Sequence, residues 1–334
     1  MGGLMNHRRL ITLIGCLTIV SPLSSYAQQP KQLLKHVGQL YNAPCPLKSD
    51  HRIRSRLAEL GWVEGQNFVF DCVSAVGHID QLPALARELV SLRPDVLIAG
   101  PFNFVSALKQ ATTTIPIVML SGFEPVRLGL VANLARPGGN VTGVAWFNMN
   151  SKQMELLKEI VPNLRRVAWL GSAPDFANSS PEGLKIAEDD RQTSAIALGL
   201  TWQIFRPAVE NDYDEIFARL ATEHFDAVNV IGLSFNYQNA TRICQLALRH
   251  RIPAVGETAN WGKCGLLLTY GQDLSWTQAR AAEYIDKILL GAKASELPVE
   301  QATKLLLTIN LKTAKELGLT VPPSLIARAD EVIE

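Results

Sequence analysis

The sequence predicts an α/β protein made of two Rossmann-like, doubly wound parallel-sheet lobes, and three observations carry that class. Short β-rich apolar runs alternate with amphipathic helical segments along most of the chain. The alternation occurs twice, with matching landmarks in the two halves. A length of 334 residues accommodates two cores of ordinary domain size, and 47% hydrophobic against 19% charged residues excludes a disordered chain.

In the first half, residues 36–40, 68–70, 96–99 and 117–120 read as buried strands. Residues 50–60 carry Ile53, Leu57 and Leu60 at helical spacing and stop at Gly61, and residues 82–92 repeat the pattern with Leu85, Leu89 and Leu92. The second half repeats the order. A helix ends at Gly199, a strand runs over residues 202–205, and a helix through Leu220 leads into the apolar run 226–232. Ile115-Pro116-Ile117-Val118 in one half corresponds to Ile252-Pro253-Ala254-Val255 in the other. Parallel strands need such crossover helices, which cover both faces of a sheet. Gly138-Gly139 supplies turn freedom before a Val-rich strand suited to passing between lobes. Residues 266–270 read as a return strand, 276–290 as a helix and 305–309 as a further apolar run. A tail that returns after both sheets are complete implies several crossings, hence a hinge and a cleft. The expected lobes are residues 28–145 with 271–303, and 146–270 with 304–334.

The first 27 residues read as a signal peptide: His7, Arg8 and Arg9 precede the apolar run 10–20, and Ser25-Tyr26-Ala27 offers a small-residue cleavage site. The second reading is a lipoprotein, through Leu13-Ile14-Gly15-Cys16. Either reading places the mature chain outside the cytoplasm, in the periplasm for a cleaved form. No later run reaches the ~18 apolar residues of a membrane span. Cys45, Cys72, Cys244 and Cys264 remain after export. Pairs 45–72 and 244–264 would each stay within one half, and four buried thiols are the other option. A formal charge of +1 without any basic run excludes nucleic acid as a partner. Neither a metal-ligand cluster, a nucleophile motif nor a phosphate loop is present, so the sequence implies no metal, cofactor or catalytic residue.

In open parallel sheets, ligands bind beyond the carboxyl ends of the strands. The loops there span residues 39–46, 100–104 and 121–125 in the first lobe, and 171–180, 232–236 and 257–261 in the second. They supply the candidate ligand-binding residues Tyr41, Asn42, Phe102, Asn103, Ser121 and Glu124, then Ser172, Asn178, Ser234, Phe235 and Glu257. Tyr270 joins them from the return strand, and Ala145 and Trp146 mark the hinge. Aromatic walls with a few convergent polar groups describe a small-molecule site. Phe102 and Phe235 have a competing reading as core residues at loop bases, and Glu124 and Glu257 as solvated or helix-start charges.

Several longer stretches together resemble one family. They are Leu57-Ala58-Glu59-Leu60-Gly61-Trp62-Val63-Glu64-Gly65, Glu124-Pro125-Val126, Leu134-Ala135-Arg136-Pro137-Gly138-Gly139-Asn140-Val141-Thr142-Gly143 and Ile326-Ala327-Arg328-Ala329-Asp330. The chain is similar over nearly its whole mature length to the bacterial ABC transporter substrate-binding proteins that include tryptophan- and tyrosine-binding members. The resemblance implies a type I periplasmic-binding-protein fold with three interlobe crossings, hinge closure around an amino acid or related compound, and delivery to an ABC permease and its ATPase. It implies a binding protein, taken as monomeric, and not an enzyme. The alternatives are a ligand sensor that signals through its closed state and an exported enzyme. The sequence departs from the family in the cleft: Gly100-Pro101-Phe102-Asn103 replaces a Thr-Pro-Ala-like turn, Glu124 replaces Asp, and the loop over residues 171–178 replaces an Asn-Pro-rich one.

Overall fold

Strand β1 (Lys35–Tyr41) opens a first sheet that continues through β2 (Phe68–Ser74), β3 (Val96–Ala99), β4 (Ile117–Phe123) and β5 (Val141–Trp146). A second sheet follows with β6 (Arg166–Leu170), β7 (Thr201–Phe205), β8 (Ala227–Val230), β9 (Ala254–Gly256) and β10 (Leu268–Gln272). The chain returns to the first sheet for β11 (Glu300–Gln301) and ends in the second with β12 (Leu305–Asn310) and β13 (Glu331–Ile333). The strand orders are β11-β5-β4-β3-β1-β2 and β13-β12-β10-β9-β8-β6-β7. All pairings are parallel except β10 with β12. The computed structural model describes residues 1–2, 34–42, 44–45, 51–76, 78–146, 149–177, 179 and 181–334. The expected signal peptide from residue 3 onward, with Cys16, therefore lies outside the described residues, as does Asn178.

The two-residue period of the strands divides each sheet's apolar side chains between two helix layers. In β3, Val96 and Ile98 join a core with Ile53, Leu57, Tyr284 and Ile285, whereas Leu97 and Ala99 join Leu89, Phe104 and Leu108 on the opposite face. The second sheet divides in the same way: Val167 and Trp169 face one core, Ala168 and Leu170 the other. Each lobe is therefore doubly wound.

Helix Leu274–Leu289 follows β10 of the second sheet yet packs on the first, so the chain crosses between them at Asp273. The Asp273 carboxylate accepts the Ser275 and Trp276 amides at 2.9 and 3.1 Å, capping the helix, and pairs with Lys304 at 2.7 Å. Lys304 lies on the next crossing, between β11 and β12. The Ala302 amide on that same crossing donates to the Ala145 carbonyl at 3.2 Å. The passages between the sheets are thus tied to one another. The Val-rich run after Gly138-Gly139, expected as a strand passing between lobes, is β5, a full member of the first sheet between β4 and β11. Val141 and Gly143 pair with Ile117 and Met119 of β4, Val144 pairs with Glu300 of β11, and the passage itself comes after Trp146.

Cys45 is bonded to Cys72 and Cys244 to Cys264. Each bridge stays within one half of the chain and closes a loop of 27 or 20 residues, respectively. A loop of that length carries roughly 3 kcal/mol of closure entropy in the chain-entropy account. Cys72→Ser and Cys264→Ser are each expected to cost about 2–4 kcal/mol in urea unfolding, and reduction of the wild type to lower stability by a comparable step per bridge. Equal unfolding midpoints with and without reductant would contradict this.

Candidate functional site

The carboxyl ends of strands from both sheets converge on a cavity of about 200 Å³. The first sheet supplies aromatic walls. A register shift between Met119 and Gly122 interrupts the β4–β5 pairing, after which Phe123 lies opposite Trp146. Such a bulge redirects the residues that follow it. The Phe123 and Trp146 rings stand 5.8 Å apart, and both line the cavity. Phe102 and Asn103 reach it from the first turn of helix Phe102–Ala111, just beyond β3.

The second sheet supplies one more aromatic and all the charge. Phe176 lies on helix Ala173–Ala177 after β6 and is backed by the Arg206 guanidinium, 5.3 Å from its ring centroid. A Cβ on Gly171 would stand 2.6 Å from the Phe176 ring, so glycine there makes room for it. Asp175 is buried; its Oδ2 accepts the Phe235 amide at 3.1 Å, and its own amide donates to Ser172 Oγ at 3.1 Å. Burial raises the Asp175 pKa, while the Ser172 hydroxyl and the Phe235 and Ser234 amides oppose the rise. Glu257, directly after β9, is 8% exposed. Burial pushes its carboxyl up to about 8 against the opposing pull of the Gly232 amide and the Arg191 charge. Its Oε2 stands 2.3 Å from where a Gly232 Cβ would be, so a side chain at that position would have to displace the carboxylate.

Arg191 completes the charged set. Helix Pro181–Ala197 presents Gly183, Leu184, Ala187 and Arg191 to the cavity, a spacing that follows one helical stripe. The side chain is 7% exposed, and burial lowers its pKa to about 10, with Glu257 opposing the fall. Among the described residues, its Nε has no hydrogen-bond partner.

Five of the residues singled out from sequence line this cavity: Phe102, Asn103, Ser234, Glu257 and, at the expected hinge, Trp146. Ser172 stands one step behind, holding Asp175. Phe235 stacks on Tyr213 at 5.8 Å and packs against the second lobe's core. Tyr270 packs against that lobe's other core, and its carbonyl accepts Gln153 Nε2 at 2.8 Å. Glu124 adopts φ 41° at the head of a turn, where its carbonyl accepts the Leu128 amide. Tyr41 ends β1 and Asn42 follows it, and the Ala145 carbonyl accepts the crossing amide; none of these lines the cavity. Ser121 is in β4, its side chain outside those described. Asp175, Phe176, Phe123 and Arg191 were not singled out by the sequence. Asp175, Phe176 and Phe123 sit in loops already selected, and a single arginine on the small-residue stripe Gly183–Leu184–Ala187 was the available signal for Arg191. Among the described residues, no three His, Cys, Asp or Glu side chains gather as a metal-ion ligand set, and no helix is long and apolar enough to cross a membrane.

The family model described as ABC transporter substrate binding protein matches residues 37–333. A curated tyrosine-binding protein from Clostridioides difficile (strain R20291) is 23% identical over 285 residues, 85% of this chain and 80% of that protein. A solved ABC domain from Streptococcus pneumoniae in complex with L-Trp is 25% identical with a TM-score of 0.79, over 90% of this chain and all of that one. A solved conserved domain protein from Vibrio cholerae O1 biovar El Tor is 26% identical with a TM-score of 0.79, over 89% of this chain and 99% of that one.

Proposed function

The chain belongs to the ABC transporter substrate-binding protein family, and we propose that it captures a small aromatic ligand, an amino acid or a related compound, in the cavity between its sheets. The two-sheet α/β architecture is the type I periplasmic-binding-protein fold. One observation carries the ligand reading: four aromatic side chains, Phe102, Phe123 and Trp146 from the first sheet's side and Phe176 from the second's, surround a small cavity whose charged groups all come from the second sheet's side. Apolar walls with few polar groups suit a planar ligand with one charged end. The tryptophan complex and the tyrosine-binding relative support the same class.

The proposed lobes keep β5 through Trp146 on the first side and β10 through Gln272 on the second, a shift of one or two residues from the sequence-based limits at those strand ends: residues 34–146 with 273–303, and 149–272 with 304–334, among the described residues. Hinge motion at the tied crossings opens and closes them. The ligand touches both walls only when they are together, so it favours the closed state by its differential affinity. The loaded form is then what a permease and its ATPase receive. Export through a signal peptide cleaved after Ala27 fits the two disulfides, which persist in oxidising compartments.

The test is a thermal-shift screen of protein denatured and refolded to strip carried-over ligand, covering aromatic and aliphatic amino acids, aromatic acids, nucleosides and sugars. At a hundredfold excess over Kd a binder adds about 2.7 kcal/mol. Aromatic compounds are expected to raise Tm. Phe102→Ala and Trp146→Ala should weaken them roughly 10–100-fold, the loss of an aromatic contact, while the ligand-free Tm changes little. A saturable shift with sugars alone would overturn the reading.

A further inference from the structure

Resting on that aromatic-ligand reading, we infer that Arg191 is the receptor for the ligand's carboxylate, so that the cargo is an aromatic carboxylate for which an α-ammonium is dispensable. The cation is buried, lines the cavity and leaves its Nε without a partner among the described residues. The acids nearest it in sequence are engaged elsewhere: Glu188 pairs with Arg206 at 3.5 Å and Asp190 with Arg127 at 3.9 Å. A guanidinium withdrawn from water without a full counter-charge is costly, and a ligand carboxylate removes that cost through two parallel N–H···O bonds.

The acids of the cavity are poorly placed to read an ammonium. Asp175 is occupied by the Phe235 amide and helps start the short helix Ser234–Gln238. Glu257 is wedged against Gly232, and its burial favours the neutral carboxyl at pH 7. A neutral carboxyl beside Arg191 does not cancel its charge. The ionic recognition left to the cavity is cation to anion, with the aromatic walls holding the rest of the molecule.

Four probes separate this inference from the reading beneath it: indole-3-propionate, L-tryptophan, tryptamine and 4-methylpentanoate, titrated calorimetrically into refolded wild type and Arg191→Met. Indole-3-propionate is expected to bind within about tenfold of L-tryptophan, and tryptamine roughly a hundredfold more weakly. Arg191→Met should lose roughly a hundredfold for both indole acids. Its ligand-free Tm should match or exceed wild type, because a buried unpaired charge has been removed. A lower ligand-free Tm would mean that Arg191 is a structural partner of Glu257 and would overturn the inference. So would equal binding of indole-3-propionate to variant and wild type, tryptamine binding as tightly as the acids, or L-tryptophan more than about a hundredfold tighter than indole-3-propionate. Binding of 4-methylpentanoate as tight as the indole acid, lost in Arg191→Met, would sink the aromatic reading and keep the carboxylate receptor. Tryptamine and the indole acids binding alike in both proteins would do the reverse. Silence from all four probes overturns both.

Discussion

The ligand-free protein is expected to lose stability as pH rises from about 4.5 to about 8, and Glu257→Gln to remove most of that slope. The cause is burial of the Glu257 carboxyl, which raises its pKa from the ordinary 4.5 to about 8, while the Gly232 amide and Arg191 favour the charged form without prevailing. Tyr237 also faces this carboxyl, its hydroxyl standing 3.2 Å from the same Gly232 Cβ position that Oε2 crowds. The folded state keeps its proton through the window in which the unfolded chain gives it up. The unfolded state therefore binds fewer protons there, and stability falls with pH. The stabilisation is fully present below pH 4.5 and is lost as pH passes through about 8. A displacement of that size corresponds to something on the order of 4 kcal/mol across the window. Asp273 and Glu300, whose pKa values are lowered, act with the opposite sign, and only in acid below this range. Urea unfolding at pH 5 and pH 8 measures the difference directly. Glu257→Gln should be the more stable protein at pH 8. A wild-type profile that is flat or rises between those two pH values would refute the assignment, as would an unchanged slope in the variant.

Gly143→Ala should be among the most damaging single-methyl changes in the chain. Gly143 lies in β5 with φ 123°, a conformation that L side chains rarely adopt. A Cβ there would stand 2.3 Å from the Met119 carbonyl oxygen and 2.7 Å from its nitrogen. Both are backbone atoms of β4 at the very residue where the register shifts, so no rotamer change relieves the clash. The backbone strain and the overpacking together amount to about 3–5 kcal/mol. That should lower Tm by roughly 4–8 °C in a chain of this size. Because β4 and β5 carry Phe123 and Trp146, whatever folds should also bind aromatic ligand poorly. Gly139→Ala is the matched control: it has open space around its Cβ position and should be nearly neutral. Similar melting temperatures for the two variants would contradict this account of the β4–β5 contact.

How much of this was legible in the sequence varies by element. Residues 96–99, read as a buried strand, are β3, and the apolar run 305–309 is β12 but for Asn310. The helix read over residues 82–92 is Leu82–Ser91, and the stop at Gly61 is real, since Gly61 has φ 92°. These features depend on neighbours in the chain. The site was legible only in part for a different reason. Loops after every parallel strand look equally eligible, yet β1 lies between β3 and β2, and the residues at its end, Tyr41 and Asn42, do not reach the cavity formed after β3, β4 and β5. Phe235 has the composition of a wall residue, but Tyr213 from a distant helix draws its ring into the core. No pattern in adjacent residues marks Arg191, which follows Asp189 and Asp190 in helix Pro181–Ala197 yet is buried against the cavity.

By itself the sequence determined the two-lobe α/β class, the position of most strands, and the family resemblance, because periodicity and turn chemistry are local properties written in adjacent residues. Tertiary structure decided which strand ends meet, through the order of the strands and the three passages between sheets. It also decided the electrostatics of the cavity. Whether Arg191 finds a partner, and whether Glu257 keeps its proton, depends on burial and on groups tens of residues away, and no local pattern encodes either.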